Sequence, residues 1–170
     1  MPKKSALATP IGFAFIISLS VFLRKLYILT NGGLLGIMFG SANSSVWERF
    51  KPLALSFLIW SVLELAIFSP PMKRFSVVRT ASLLVLTAIF LPCALTLEYT
   101  TLPYEFTELA LSSLSIVIAF IFSHFMMKSP LKFEKVFAES MFFLLLLIAL
   151  YLRFTAFPPN NIIFNDSVIQ

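Results

Sequence analysis

Charge is what this sequence has least of. Asp, Glu, Lys and Arg make up 12% of it, against about 25% in an ordinary soluble domain. Hydrophobic residues make up 59%, and mean hydropathy is +0.94. So little polar surface cannot cover a water-soluble globule, and the chain reads as a single integral membrane domain over residues 1–170. Cysteine is nearly absent too. The one residue, Cys93, excludes an intrachain disulfide and a cysteine metal site, and it reads as a small apolar packing residue. With one histidine, His124, there is no two-histidine zinc spacing, and the few glycines form no phosphate-cradling loop. No metal and no cofactor are implied, and no serine nucleophile motif or internal repeat occurs.

What charge there is carries a net +5, from 13 basic and 8 acidic residues. The basic residues stand at the ends of apolar runs, where topology determinants belong. They do not form the aromatic-interleaved patch that nucleic acid would need, so the bilayer is the expected partner.

A spanning helix takes about 20 mostly apolar residues. Five runs qualify, at about 5–25, 52–72, 80–97, 109–127 and 136–153, and in lipid each must satisfy its own backbone as a helix. The expected fold is an all-α polytopic transmembrane bundle of five spanning helices plus a re-entrant or interfacial segment. That segment, about 28–47, is broken by Asn31, Gly32, Gly33, Gly36 and Gly40, and a sixth span remains an alternative. The first run is too long for a cleaved signal peptide and reads as an uncleaved span.

Lys73, Arg74 and Arg79 make one basic loop and Lys128, Lys132 and Lys135 another, whereas the loop between carries Glu98, Glu105 and Glu108 without Lys or Arg. The positive-inside rule makes the basic loops cytoplasmic and the acidic one external. The cytoplasmic membrane is the expected location, with the C-terminal tail, 154–170, outside. Asn43 to Lys51 is external under either span count, and only the N-terminus changes side.

The Asn43–Lys51 segment concentrates polar side chains. Ser45 and Glu48 have capping-box spacing, Trp47 suits an interfacial anchor, and Pro52 predicts a break near Phe50 or Lys51. One reading is a capped, anchored helix start. The other is an external binding site of Asn43, Trp47, Glu48 and Arg49. The segment resembles the motif Asn-Glu-Ser-x-Trp-Glu-His-x-Lys of an uncharacterised family of small multi-pass bacterial and archaeal membrane proteins. Its members also end in Phe-x-x-x-Pro-Pro, matched here by Phe154, Pro158 and Pro159. Asn43, Ser45, Trp47, Glu48 and Lys51 match the motif, whereas Ser44 and Arg49 replace its first Glu and its His. Those replacements speak against a metal or catalytic site, and the resemblance brings no activity with it.

Glu64 lies inside its span, where a carboxylate is costly unless neutral or paired. It is expected to face the bundle interior, either protonated on a neighbouring hydroxyl or serving a proton or cation. His124 and Glu139 flank the second basic loop and form a candidate inner-face pair that would titrate near neutral pH; the alternative is two side chains reaching separately for the interface. Three functions stay open. The first is binding or transport of an ion or small amphiphile at an external mouth, which requires a polar path to Glu64. The second is a membrane enzyme on a lipid-like substrate, with Glu48 as acid or base beside a second titratable group. The third is a structural subunit of a membrane complex or homo-oligomer. Whether it is an enzyme stays open, with the replaced motif residues leaning against it.

Overall fold

A computed structural model describes residues 4–97 and 104–164, with the side chains of 4–7, 104, 105 and 134 excepted. The described residues form helices and short connections, without a strand. The helices are α1 (Lys4–Leu29), α2 (Leu34–Phe39), α3 (Val46–Phe68), α4 (Met72–Leu97), α5 (Tyr104–Lys128) and α6 (Phe137–Ala156), with one 3₁₀ turn at Phe133–Val136. Five of them, all but α2, are long and apolar enough to cross a membrane. α2 has six residues, a rise of about 9 Å, so the broken segment is not a sixth span.

Glycine explains why α2 folds back. A Cβ on Gly36 would stand 2.7 Å from the Tyr27 Cα, and one on Gly40 would stand 2.8 Å from the Tyr27 N. α2 thus rests on the end of α1 at backbone contact distance. The same economy joins α1 to α3, where the Trp60 ring lies over Gly12 and an added Cβ would fall 2.3 Å from Nε1. Trp60 is buried and cannot swing clear. Gly12→Val is therefore expected to cost about 1–3 kcal/mol as an overpacked core site, read as a lower midpoint in an SDS unfolding titration in mixed micelles.

α3 and α4 meet at a tight corner. Ser69 takes a left-handed conformation (φ 47°, ψ 50°), and its N–H closes α3 on the Leu65 carbonyl. Pro70 and Pro71 follow, and a residue before proline is pushed out of the helical region, so α3 stops and α4 restarts at Met72. The basic stretch 73–79, expected as a loop, is therefore the start of α4. With 26 residues, α4 runs about 39 Å, longer than a ~30 Å hydrocarbon layer. Its charges need not end the helix.

The core is shared by α1, α3, α4 and α5 and centres on Ile16, Phe57, Trp60, Leu86, Phe90 and Ile116. α6 stands apart. It packs chiefly on α4 and has a narrow half-buried stripe including Met141, Leu144, Leu147 and Tyr151; only Ser140 is buried. At one end Arg74 donates to the carbonyls of Met126 and Ser129 and lies 5.3 Å from the Phe133 ring, fastening the α5–α6 connection to α4. Met126 and Met127 fill apolar space beside it. This end carries Lys73, Lys128, Lys132 and Lys135 and is called the basic end below. Cys93 is exposed on the outer side of α4 rather than packed inside.

Candidate functional site

At the other end the Asn43–Lys51 segment folds into the first turns of α3. Ser45 is the N-cap, its hydroxyl accepting from the Glu48 N–H at 3.4 Å. The capping box is not completed by Glu48, because Asn43 Oδ1 already accepts from the Ser45 N–H at 3.1 Å. The Glu48 carboxylate instead accepts the Ala42 N–H at 2.8 Å and pairs with Lys51 Nζ at 2.8 Å. Lys51, with none of its surface exposed, also donates to the Ile37 carbonyl at 2.9 Å.

The expected break at Pro52 does not occur, and the reason is local. Proline leaves the carbonyl four residues earlier without its helical donor. That carbonyl belongs to Glu48, and it accepts the Ser41 hydroxyl at 2.7 Å. The helix continues because the preceding loop supplies the missing donor.

The tail after α6 covers this turn. The Trp47 N–H donates to the Ile163 carbonyl at 3.0 Å. Around the Trp47 ring stand Phe154 (5.4 Å), Phe164 (5.5 Å) and Tyr151 (6.1 Å between centroids), and the Tyr151 hydroxyl donates to the Met38 carbonyl at 2.8 Å. Arg49 is buried, its Nε donating to the Ser45 carbonyl. The structure thus brings Asn43, Trp47, Glu48 and Arg49 together with the tail, but as an interlocked helix start. Glu98 lies outside the described residues, as does the side chain of Glu105. Glu108, expected in the acidic loop, is buried on α5, where it pairs with Arg24 of α1 at 3.0 Å; Arg24 also donates to the Ser112 hydroxyl at 3.2 Å.

Glu64 is paired as well, with a residue the sequence reading had put in a loop. Its partner is Arg79, in the second turn of α4. Arg79 Nε and Nη1 have no hydrogen-bond partner among the described residues; the guanidinium lies 5.5, 5.2 and 5.1 Å from the ring centroids of Phe57, Phe75 and Phe120. The span therefore carries a neutral pair in an aromatic cage, where a lone carboxyl on a hydroxyl had been one reading. The signal for Arg79 was available: Pro70 and Pro71 allow a helix to restart at once, and a hairpin of that shape sets positions 64 and 79 at similar depth.

His124 and Glu139 are not brought together. Both are exposed, on α5 and α6, which pack on α4 rather than on each other, and no hydrogen bond or ion pair joins them. Between Glu48 and Glu64 the interior face of α3 carries Leu53, Phe57 and Trp60, packed with Leu86 and Phe90. Apolar side chains fill the route that a polar path to Glu64 would need.

Open space lies elsewhere. Because α6 is tied to α3 only near Trp47, the two helices leave a cleft beside α4 toward the basic end. It measures about 440 Å³ and is lined by Leu58, Val62 and Leu65 of α3, Phe75 of α4, and Leu144 and Ile148 of α6. Ser61, Ser76, Arg79 and Thr80 also border it. Along α3 and α6 it reaches from near the basic end to about mid-helix. Leu58 to Leu65 on α3 is a rise of about 10 Å, about a third of a ~30 Å hydrocarbon layer.

No protein-family model matches this chain, and no curated protein or solved structure is similar to it.

Proposed function

We propose that this is a multi-pass protein of the cytoplasmic membrane that holds a lipid-like amphiphile in the cleft between α3, α4 and α6. The observation that carries this reading is the cleft itself: walled mainly by apolar side chains of three helices, and reaching from near the basic end to about mid-helix. Its walls suit a hydrocarbon tail and offer almost nothing to an ion. The positive-inside rule orients the bundle with the basic end, which carries Lys73, Lys128, Lys132 and Lys135, and the N-terminus in the cytoplasm and the Trp47 end outside. The kinship with the small multi-pass family belongs to the same proposal and rests on Asn43, Ser45, Trp47, Glu48, Lys51 and the Pro158–Pro159 tail.

Binding moves in this reading from the external mouth to the inner leaflet. Trp47 and its neighbours occupy the mouth with the chain's own tail. Glu48, the candidate acid or base, has its carboxylate committed to Ala42 and Lys51 in a buried turn rather than beside a lipid-accessible cleft.

Native mass spectrometry from a mild detergent tests the reading. The wild-type chain is expected to retain one lipid-mass adduct. Leu144→Trp, which fills the cleft from the α6 side, is expected to reduce that adduct at least tenfold, and Val62→Trp should do the same from the α3 side. Retention at wild-type level in both folded variants would sink the proposal. The exposed outer face of α6, with Phe142 and Phe143, suits lipid, and the same spectra would reveal a bound protein partner if the chain were a subunit of a membrane complex.

A further inference from the structure

We infer that the cleft takes an anionic phospholipid of the leaflet at the basic end, with one acyl chain between α3, α4 and α6 and the headgroup phosphate on Lys73. This inference rests on the amphiphile reading above and names the ligand class. Lys73, Ser76 and Thr80 follow one another at positions i, i+3 and i+7 of α4 and so share one face. Ser76 and Thr80 border the cleft, and Lys73 stands one turn beyond them, in the first turn of α4 at the basic end. Lys73 is exposed and makes no hydrogen bond or ion pair with a described residue. Its neighbour Arg74 is taken up by the Met126 and Ser129 carbonyls, so Lys73 is the α4 cation left to a ligand at this rim.

The deeper cation does not compete for the headgroup. Arg79 is compensated by Glu64 and enclosed by three rings, and the cleft wall it borders is apolar. The site is therefore graded, with hydrocarbon contact below and positive charge at headgroup level, where Lys73 is the lysine on the α4 face that borders the cleft. That pattern fits a phospholipid with net negative charge better than a free fatty acid drawn down to Arg79 or a zwitterionic lipid. The leaflet agrees as well, since the cytoplasmic leaflet is the anionic one.

The experiment reconstitutes the full-length chain in nanodiscs of equal parts phosphatidylglycerol and phosphatidylcholine, then reads the retained lipid by native mass spectrometry. Wild type is expected to retain phosphatidylglycerol over phosphatidylcholine about fivefold, the factor one lysine supplies near an anionic surface. Lys73→Gln is expected to bring that ratio to about one. Leu144→Trp is expected to lose both lipids. No preference in wild type, or a preference that survives Lys73→Gln, overturns the headgroup assignment and leaves the amphiphile reading standing. Lipid retained at wild-type level by folded Leu144→Trp and Val62→Trp overturns the amphiphile reading, and the headgroup assignment with it.

Discussion

Lys51→Met is expected to be among the most damaging single substitutions in this chain, costing about 3–5 kcal/mol, the range for breaking a buried ion pair by removing one partner. Lys51 is fully buried, and its ammonium holds the Glu48 carboxylate and the Ile37 carbonyl together. Methionine fills similar volume but leaves a carboxylate with the Ala42 N–H as its main partner and strips the Ile37 carbonyl of its donor. The damage should therefore spread from α3 to the end of α2. The double variant Glu48→Met/Lys51→Met should recover only part of the loss, because Ala42 and Ile37 remain unpaired. An SDS titration in mixed micelles checks both values. A drop under 1 kcal/mol for Lys51→Met would refute the structural role assigned here.

Glu64→Leu is expected to cost a similar 3–5 kcal/mol, and more than Arg79→Leu. The asymmetry follows from the chemistry of the survivor. Without Glu64, Arg79 keeps a charge it cannot shed, since a guanidinium does not deprotonate in proteins. Without Arg79, a lone carboxyl can become neutral by taking up a proton. The rings of Phe57, Phe75 and Phe120 soften the first case by about 0.5–2 kcal/mol per good contact without removing it. Glu64→Leu/Arg79→Leu should return close to wild-type stability, since a well-packed apolar pair often replaces a buried ion pair without loss. The same titration distinguishes this from a carboxyl held neutral on a hydroxyl, for which Glu64→Gln would be nearly silent and Arg79→Leu would bear no relation to it. A double variant no better than the sum of the singles would show that the two residues are not coupled.

Five spans were legible because each is a long apolar run that lipid leaves no choice but to coil. Their ends were not, and the errors share one cause. A charged residue reads as the edge of a span, yet Arg24, Glu108 and Arg79 each sit within a helix because a partner on a neighbouring helix neutralises it or accepts its hydrogen bonds. Such partners are remote in sequence, and a pass along the chain cannot see them. The gathering of polar residues at Asn43–Lys51 was visible, as was the alternative of a capped helix start. What was hidden was the carbonyl at Glu48 that Pro52 frees and Ser41 takes. The cleft had no signature at all, because it comes from how α6 leans on α4, and its residues are indistinguishable in sequence from any others facing lipid.

The hydrogen bond from Trp47 to Ile163 also has a consequence in time. One of the unpaired donors at the start of α3 finds its acceptor in a residue made only after the last spanning helix. At ~5–20 residues per second, ribosomal synthesis puts on the order of ten seconds between the two. During that interval the first turn of α3 would stand at the bilayer surface with an unmet donor and an uncovered indole. Locking of this end of the bundle then waits for Ile163, and a nascent chain stalled before it would present Trp47 to any factor that surveys unfinished membrane proteins.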